Sequence, residues 1–142
     1  MQLMREALAQ GKFINFQTGP WTEEEAPSDY ADKLVYMEEH VDFPLAIFLI
    51  IAEENAFFSY QEGVNAISYA DVVWDSSYIE ALSRPLGEPL GDPIKEGYIY
   101  TRSYEHVDVW VDVESGKAEL TWRDEEKLTE FSRIFQPQSV AF

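Results

Sequence analysis

Phe43-Pro44-Leu45-Ala46-Ile47-Phe48-Leu49-Ile50-Ile51-Ala52-Glu53-Glu54-Asn55-Ala56-Phe57-Phe58-Ser59-Tyr60 is the stretch on which the reading of the fold turns. Asp42 stands before it as a cap, and Pro44 falls in the first turn, where the N–H that proline lacks has no helical acceptor to lose. From Leu45 to Glu54 the residues are apolar almost all round, which predicts a helix packed on several sides. The apolar run is about half of what a membrane span requires, so a buried helix is expected and not a bilayer-crossing one. Ala56 to Tyr60 then reads as a buried strand, with Gln61-Glu62-Gly63 at its C-terminal end.

Toward the N-terminus, Ser28 is a plausible cap for a helix from Asp29 to about His40, with Leu34, Met37 and Val41 on one side. An acidic loop, Trp21 to Ser28, precedes it. Phe13 to Gln17 reads as a strand broken by Gly19-Pro20, and Leu3, Met4, Ala7 and Leu8 give Met1–Gln10 a helical face ended by Gly11. Helix, glycine, strand is the order of an αβ step in a parallel sheet.

Toward the C-terminus, Val64 to Gly97 is irregular and contains Pro85-Leu86-Gly87-Glu88-Pro89-Leu90-Gly91; a stretch of that length is either functional or a wrapped connector ordered by its own Leu86 and Leu90. Val107, Val109, Val111 and Val113 alternate with Asp108, Trp110 and Asp112. A turn at Glu114-Ser115-Gly116-Lys117 follows, and Ala118, Leu120 and Trp122 resume the alternation, which predicts a β-hairpin. Tyr98 to Tyr104 is expected to add a strand to it. Asp124 to Phe135 spaces Leu128, Phe131 and Phe135 as one helical face.

Composition narrows the function. The 142 residues carry 27 acidic and 10 basic side chains, for a formal charge of -17. A field of that sign repels phosphate backbones and anionic bilayers, so neither nucleic acid nor membrane is an expected partner. A basic protein or a neutral substrate remains compatible. The chain has no cysteine, which removes disulfides, thiolate zinc sites and thiol nucleophiles. His40 and His106 lack a spaced partner, so no metal site is expected, and no cofactor-binding loop is legible. Arg5 and Glu6 interrupt the first ten residues, unlike a signal peptide, and nothing identifies a compartment.

Three stretches together resemble glycoside hydrolases with a (β/α)8 barrel. They are Phe43 to Tyr60, the connector Arg84 to Gly91, and Tyr100-Thr101-Arg102-Ser103-Tyr104-Glu105-His106-Val107-Asp108-Val109-Trp110-Val111-Asp112, in which an Arg-X-aromatic-Glu run precedes the valine ladder. The resemblance covers roughly Met1 to Trp122. It implies a partial (β/α) barrel built from late strand–helix units, with a C-terminal antiparallel hairpin over 98–122, followed by a terminal helix and tail over 123–142. A complete barrel needs about 250 residues. The resemblance therefore implies a C-terminal fragment or truncated relative of a polysaccharide-degrading enzyme, incomplete as a catalyst by itself.

Glycoside hydrolysis uses two carboxyl groups, about 5–5.5 Å apart for retention and about 6.5–9.5 Å for inversion. Glu62, just past the strand Ala56–Tyr60, is the expected catalytic carboxylate, with a solvated loop glutamate as the bland alternative. Trp21, Tyr60 and Trp74 are candidates for stacking on sugar rings, and Glu54 for contacting substrate; ordinary packing or a polar helix end would explain each of them as well. Glu53 and Glu54 fall at a helix C-terminus, where negative charge is unfavourable, so at least one of them should have a specific partner. The expected ligand is a polysaccharide or oligosaccharide. Two further readings stand beside it: a small acidic binding or inhibitor protein for a basic partner, and self-association through open strand edges.

Overall fold

The computed structural model describes residues 1–20, 27–62 and 76–123. Four helices, α1 (Gln2–Ala9), α2 (Tyr30–Glu39), α3 (Asp42–Ile51) and α4 (Glu80–Ser83), accompany six strands: β1 (Ile14–Thr18), β2 (Ala56–Tyr60), β3 (Ile94–Glu96), β4 (Ile99–Ser103), β5 (Val107–Asp112) and β6 (Lys117–Trp122). Trp21, Trp74 and the expected helix Asp124–Phe135 lie outside the described residues. Among the described residues, no helix is long and apolar enough to cross a membrane.

Helix α3 organises the core, as its all-round apolar sequence requires. Ala46, Leu49, Ile50 and Ile51 are at most 1% exposed. The helix packs against β2 of one sheet and β4, β5 and β6 of the other. Full burial of each large aliphatic side chain contributes about 1.5–3 kcal/mol. Phe48 meets Phe16 and Phe58 at ring-centroid distances of 6.3 and 5.1 Å. Leu45, Leu49 and Ile50 share one cluster with Val107, Val109 and Val111.

Strands β1 and β2 pair in parallel, with Ile14 opposite Ala56 and Thr18 opposite Tyr60. One face of this pair turns Phe16 and Phe58 toward α3. Phe13 and Phe57 are 74% and 53% exposed, with ring centroids 6.2 Å apart. The larger sheet, in the order β3-β4-β5-β6, is antiparallel throughout. Asp112 opposes Lys117 at the hairpin end, where its carboxylate accepts from the Glu114 N–H at 3.0 Å and the Ser115 hydroxyl at 2.6 Å. Gly116, at φ 67°, supplies the left-handed residue of the turn.

The partial (β/α) barrel expected from the resemblance is overturned by this sheet, because all strands of such a barrel run parallel. Tyr100 to Asp112, which resembled a closing barrel strand, falls in β4 and β5, paired antiparallel with each other and with β3 and β6. The physical reason is visible in the valine ladder. Parallel strands buried on both faces read as continuous apolar runs, whereas strict alternation describes a sheet with one covered face. The burial of β5 alternates accordingly along its six residues.

The proline- and glycine-rich connector is fastened to the turn between β4 and β5. Leu90 N–H donates to Ser103 O, Glu105 N–H to Glu88 O, and His106 N–H to Leu86 O, at 2.9–3.1 Å. Leu86 packs on the core, while Leu90 is exposed. Gly87 makes the closest approach: at φ 70°, a Cβ there would lie 2.5 Å from Glu105 Cβ. Gly87→Ala combines left-handed strain of about 1–3 kcal/mol with that clash. The substitution is expected to lower the urea midpoint of unfolding clearly; an unchanged midpoint would mean that the connector is not held against this turn.

Candidate functional site

Two charged clusters occupy opposite ends of β2. Beyond its C-terminal end, Gln61 N–H donates to Thr18 O at 3.1 Å, which closes the ends of the parallel pair together. The next residue is Glu62, only 8% exposed, whose Oε1 accepts from Lys33 Nζ at 2.7 Å. Lys33 comes from α2, a helix started by Asp29, whose side chain accepts from the Ala31 N–H at 2.9 Å; Asp29, not Ser28, is therefore the cap. Removing two charges from water is costly unless they are paired, so this ion pair is a specific construction and not a solvated loop contact.

Tyr60, the last residue of β2, is 2% exposed, and its hydroxyl donates to Met37 O at 3.2 Å. Burial pushes the Tyr60 hydroxyl well above its ordinary range, with Tyr78 and Tyr36 adding to the shift, so it acts as a neutral donor. The structure thus places Tyr60 inside the core that supports Glu62.

At the other end of β2, Glu53 occupies the C-terminal side of α3 and accepts from Arg5 and Arg102, both at 3.1 Å. Arg102, 4% exposed, also donates to the carbonyls of Leu49, Ile50 and Ala52, so it caps the C-terminal turn of α3. Tyr104 Oη adds a hydrogen bond to Leu49 O at 2.6 Å. The Arg-X-aromatic-Glu run is therefore a latch: Arg102 and Tyr104 grip α3, and Glu105 accepts from the Glu88 N–H of the connector at 3.1 Å. The unfavourable charge expected of Glu53 at a helix C-terminus is answered by these two arginines.

Arg5 also reaches Asp92 at 2.6 Å, tying α1 to the segment before β3. Between them opens a cleft of about 840 Å³, lined in part by Arg5, Glu53, Glu54, Asn55, Asp92 and Tyr100. Sequence reasoning placed Glu54 with Glu62 in one substrate site. The structure separates them by the length of β2, about 13 Å for its four backbone steps before either flanking segment is counted. That backbone separation is longer than the roughly 9.5 Å upper limit between the carboxyl groups of a hydrolytic pair.

Lys33, Arg5 and Asp92 were not singled out as site residues from sequence, and Arg102 was noted only as the first residue of the Arg-X-aromatic-Glu run. A signal existed for Lys33: it stands four residues before Met37, on the apolar side of α2, where a cation needs a buried partner. The sequence offers no comparable signal for Arg5 or Asp92, which meet across 87 positions. His40 stacks on Tyr36 with ring centroids 3.8 Å apart. Asp108 pairs with Arg123 at 2.7 Å and Asp112 serves its turn. Among the described residues, no cluster of three or more histidines and carboxylates is arranged to hold a metal.

The fold and the two clusters define a small protein of helices, one parallel strand pair and a four-stranded antiparallel sheet, with a buried carboxylate–ammonium pair beyond the C-terminal ends of the parallel pair. The chain belongs to the hypothetical glycosyl hydrolase family 15, whose model matches residues 1–108, a span that includes both clusters and the latch. Comparison with curated proteins gives no match.

Proposed function

We propose that this chain is a carbohydrate-binding, glycoside hydrolase-like protein that presents one carboxylate of catalytic type, Glu62, and does not complete a hydrolytic pair by itself. The observation that carries this reading is the Lys33–Glu62 pair, buried beyond the C-terminal ends of β1 and β2. Ion-paired as an anion, Glu62 suits the part of nucleophile or base, or of an acceptor for sugar hydroxyls, better than that of the general acid. Trp21, three residues after β1, and Trp74 are the side chains this reading assigns to stacking on the C–H face of a sugar ring. Tyr60, expected from the sequence to stack on sugar, is buried with its hydroxyl on Met37 O, so this reading gives it no contact with the ligand.

The separation of the two acidic clusters supports the incomplete-pair part of the proposal. The purified chain is expected to be retarded in gels containing one of a panel of neutral polysaccharides, while releasing no reducing ends from any of them. Steady release of reducing sugar would contradict the incomplete pair. Migration unaffected by every polysaccharide would contradict the carbohydrate reading itself.

A further inference from the structure

The cleft between α1, the end of α3 and the segment before β3 has no part in the Glu62 site, yet it is built as a ligand site. Its volume of about 840 Å³ falls within the roughly 300–1,000 Å³ typical of small-molecule pockets. Its floor is fixed in advance: Glu53 is gripped by Arg5 and Arg102, and Arg5 is in turn held by Asp92. A ligand arriving there would not have to order these side chains.

Around this floor stand groups with hydrogen-bonding capacity to spare. Among the described residues, neither Glu54 nor Lys95 takes part in an ion pair. The side-chain amide of Asn55 offers both a donor and an acceptor. Tyr100 is half-buried against the core, and the exposed Lys95 lies over its ring with Nζ 5.7 Å from the centroid, so a ligand reaches that ring by displacing a solvent-exposed side chain. A half-covered aromatic ring surrounded by carboxylates, an amide and cations matches a polyhydroxylated ring, which presents C–H groups on its faces and hydroxyls around its edge. The lining carries Glu6, Glu53, Glu54 and Asp92 against Arg5 and Lys95, and the whole chain has a charge of -17. An anionic ligand is therefore disfavoured.

We infer that this cleft is a second carbohydrate subsite, taking a neutral oligosaccharide through Tyr100, Glu54 and Asn55 at the end of β2 opposite Glu62. The inference rests on the carbohydrate-binding reading above but assigns a different surface. The test is a titration of the isotope-labelled full chain with short neutral oligosaccharides from the polysaccharide that retards it, followed residue by residue through backbone amide shifts.

Shifts at Glu54, Asn55, Lys95 and Tyr100 are expected, unchanged in Glu62→Gln and weakened at least tenfold in affinity by Tyr100→Ala. Asn55→Ala serves as a second variant, and well-dispersed amide spectra report that each variant is folded. Shifts confined to Gln61 and Glu62 would overturn the second subsite while leaving the proposed function standing. An absence of shifts anywhere with any oligosaccharide would overturn both. Tighter binding of an acidic oligosaccharide at the cleft would overturn the assignment of a neutral ligand.

Discussion

Arg102→Met is expected to cost about 3–5 kcal/mol of folding stability, as removal of one partner from a buried charged network does. The guanidinium spends its donors on Glu53 and on the carbonyls of Leu49, Ile50 and Ala52. Those carbonyls end a helix and have no further helical N–H to accept from; without Arg102, Leu49 O keeps Tyr104 Oη, but the carbonyls of Ile50 and Ala52 lose the donor that meets them. Arg102→Lys is expected to recover little, because a single ammonium cannot reproduce the planar fork that serves several acceptors at once. Urea unfolding followed by far-UV circular dichroism measures both variants. A loss under about 1 kcal/mol, far below that range, would show that the latch between β4 and α3 is not what joins the antiparallel sheet to the helix.

Lys33→Met is the second large effect, again about 3–5 kcal/mol, because it leaves the Glu62 carboxylate buried without its cation. The double replacement Lys33→Met with Glu62→Leu should regain much of that loss, since apolar groups of similar volume often substitute for a buried ion pair at little cost. Glu62→Gln should cost less than Lys33→Met, because the amide oxygen can still accept from Lys33. A full set of these variants measured by urea unfolding gives the coupling between the two side chains. If Lys33→Met and Glu62→Leu prove additive, the pair is not coupled and the construction of the site fails.

Local elements were legible where one physical signal dominated. The strand Ala56–Tyr60 stands where its aromatic run placed it, and the valine alternation with the turn at Gly116 announced the β5–β6 hairpin. Helix α3 was readable from its all-round apolarity. The short elements were not: Glu80–Ser83 and Ile94–Glu96 are too brief to show a period. The architecture was misread for a different reason. Helix–glycine–strand order correctly suggested the parallel pairing of β1 and β2, and the alternation was read as an antiparallel hairpin, but both were placed in a partial barrel, which an antiparallel sheet with one covered face does not build.

The candidate site was legible by half. Glu62 could be named because it follows a buried strand, but its partner Lys33 lies 29 positions away and is brought to it only by the packing of α2. Glu54 was assigned to the substrate surface as the end of an apolar helix that could face the site, and sequence proximity hides that a strand separates its own two ends. The cleft has the least sequence signature, since Arg5, Glu53, Asp92 and Tyr100 come from four separate segments.

The most direct test compares the retardation of the wild-type chain and of Glu62→Gln across a concentration series of the polysaccharide that slows the protein, with the unfolding midpoint of each recorded alongside. At least a tenfold weaker apparent affinity is expected for Glu62→Gln, with the protein still folded. Equal retardation of two equally stable proteins would contradict it, and would leave the buried pair with Lys33 as a purely architectural contact.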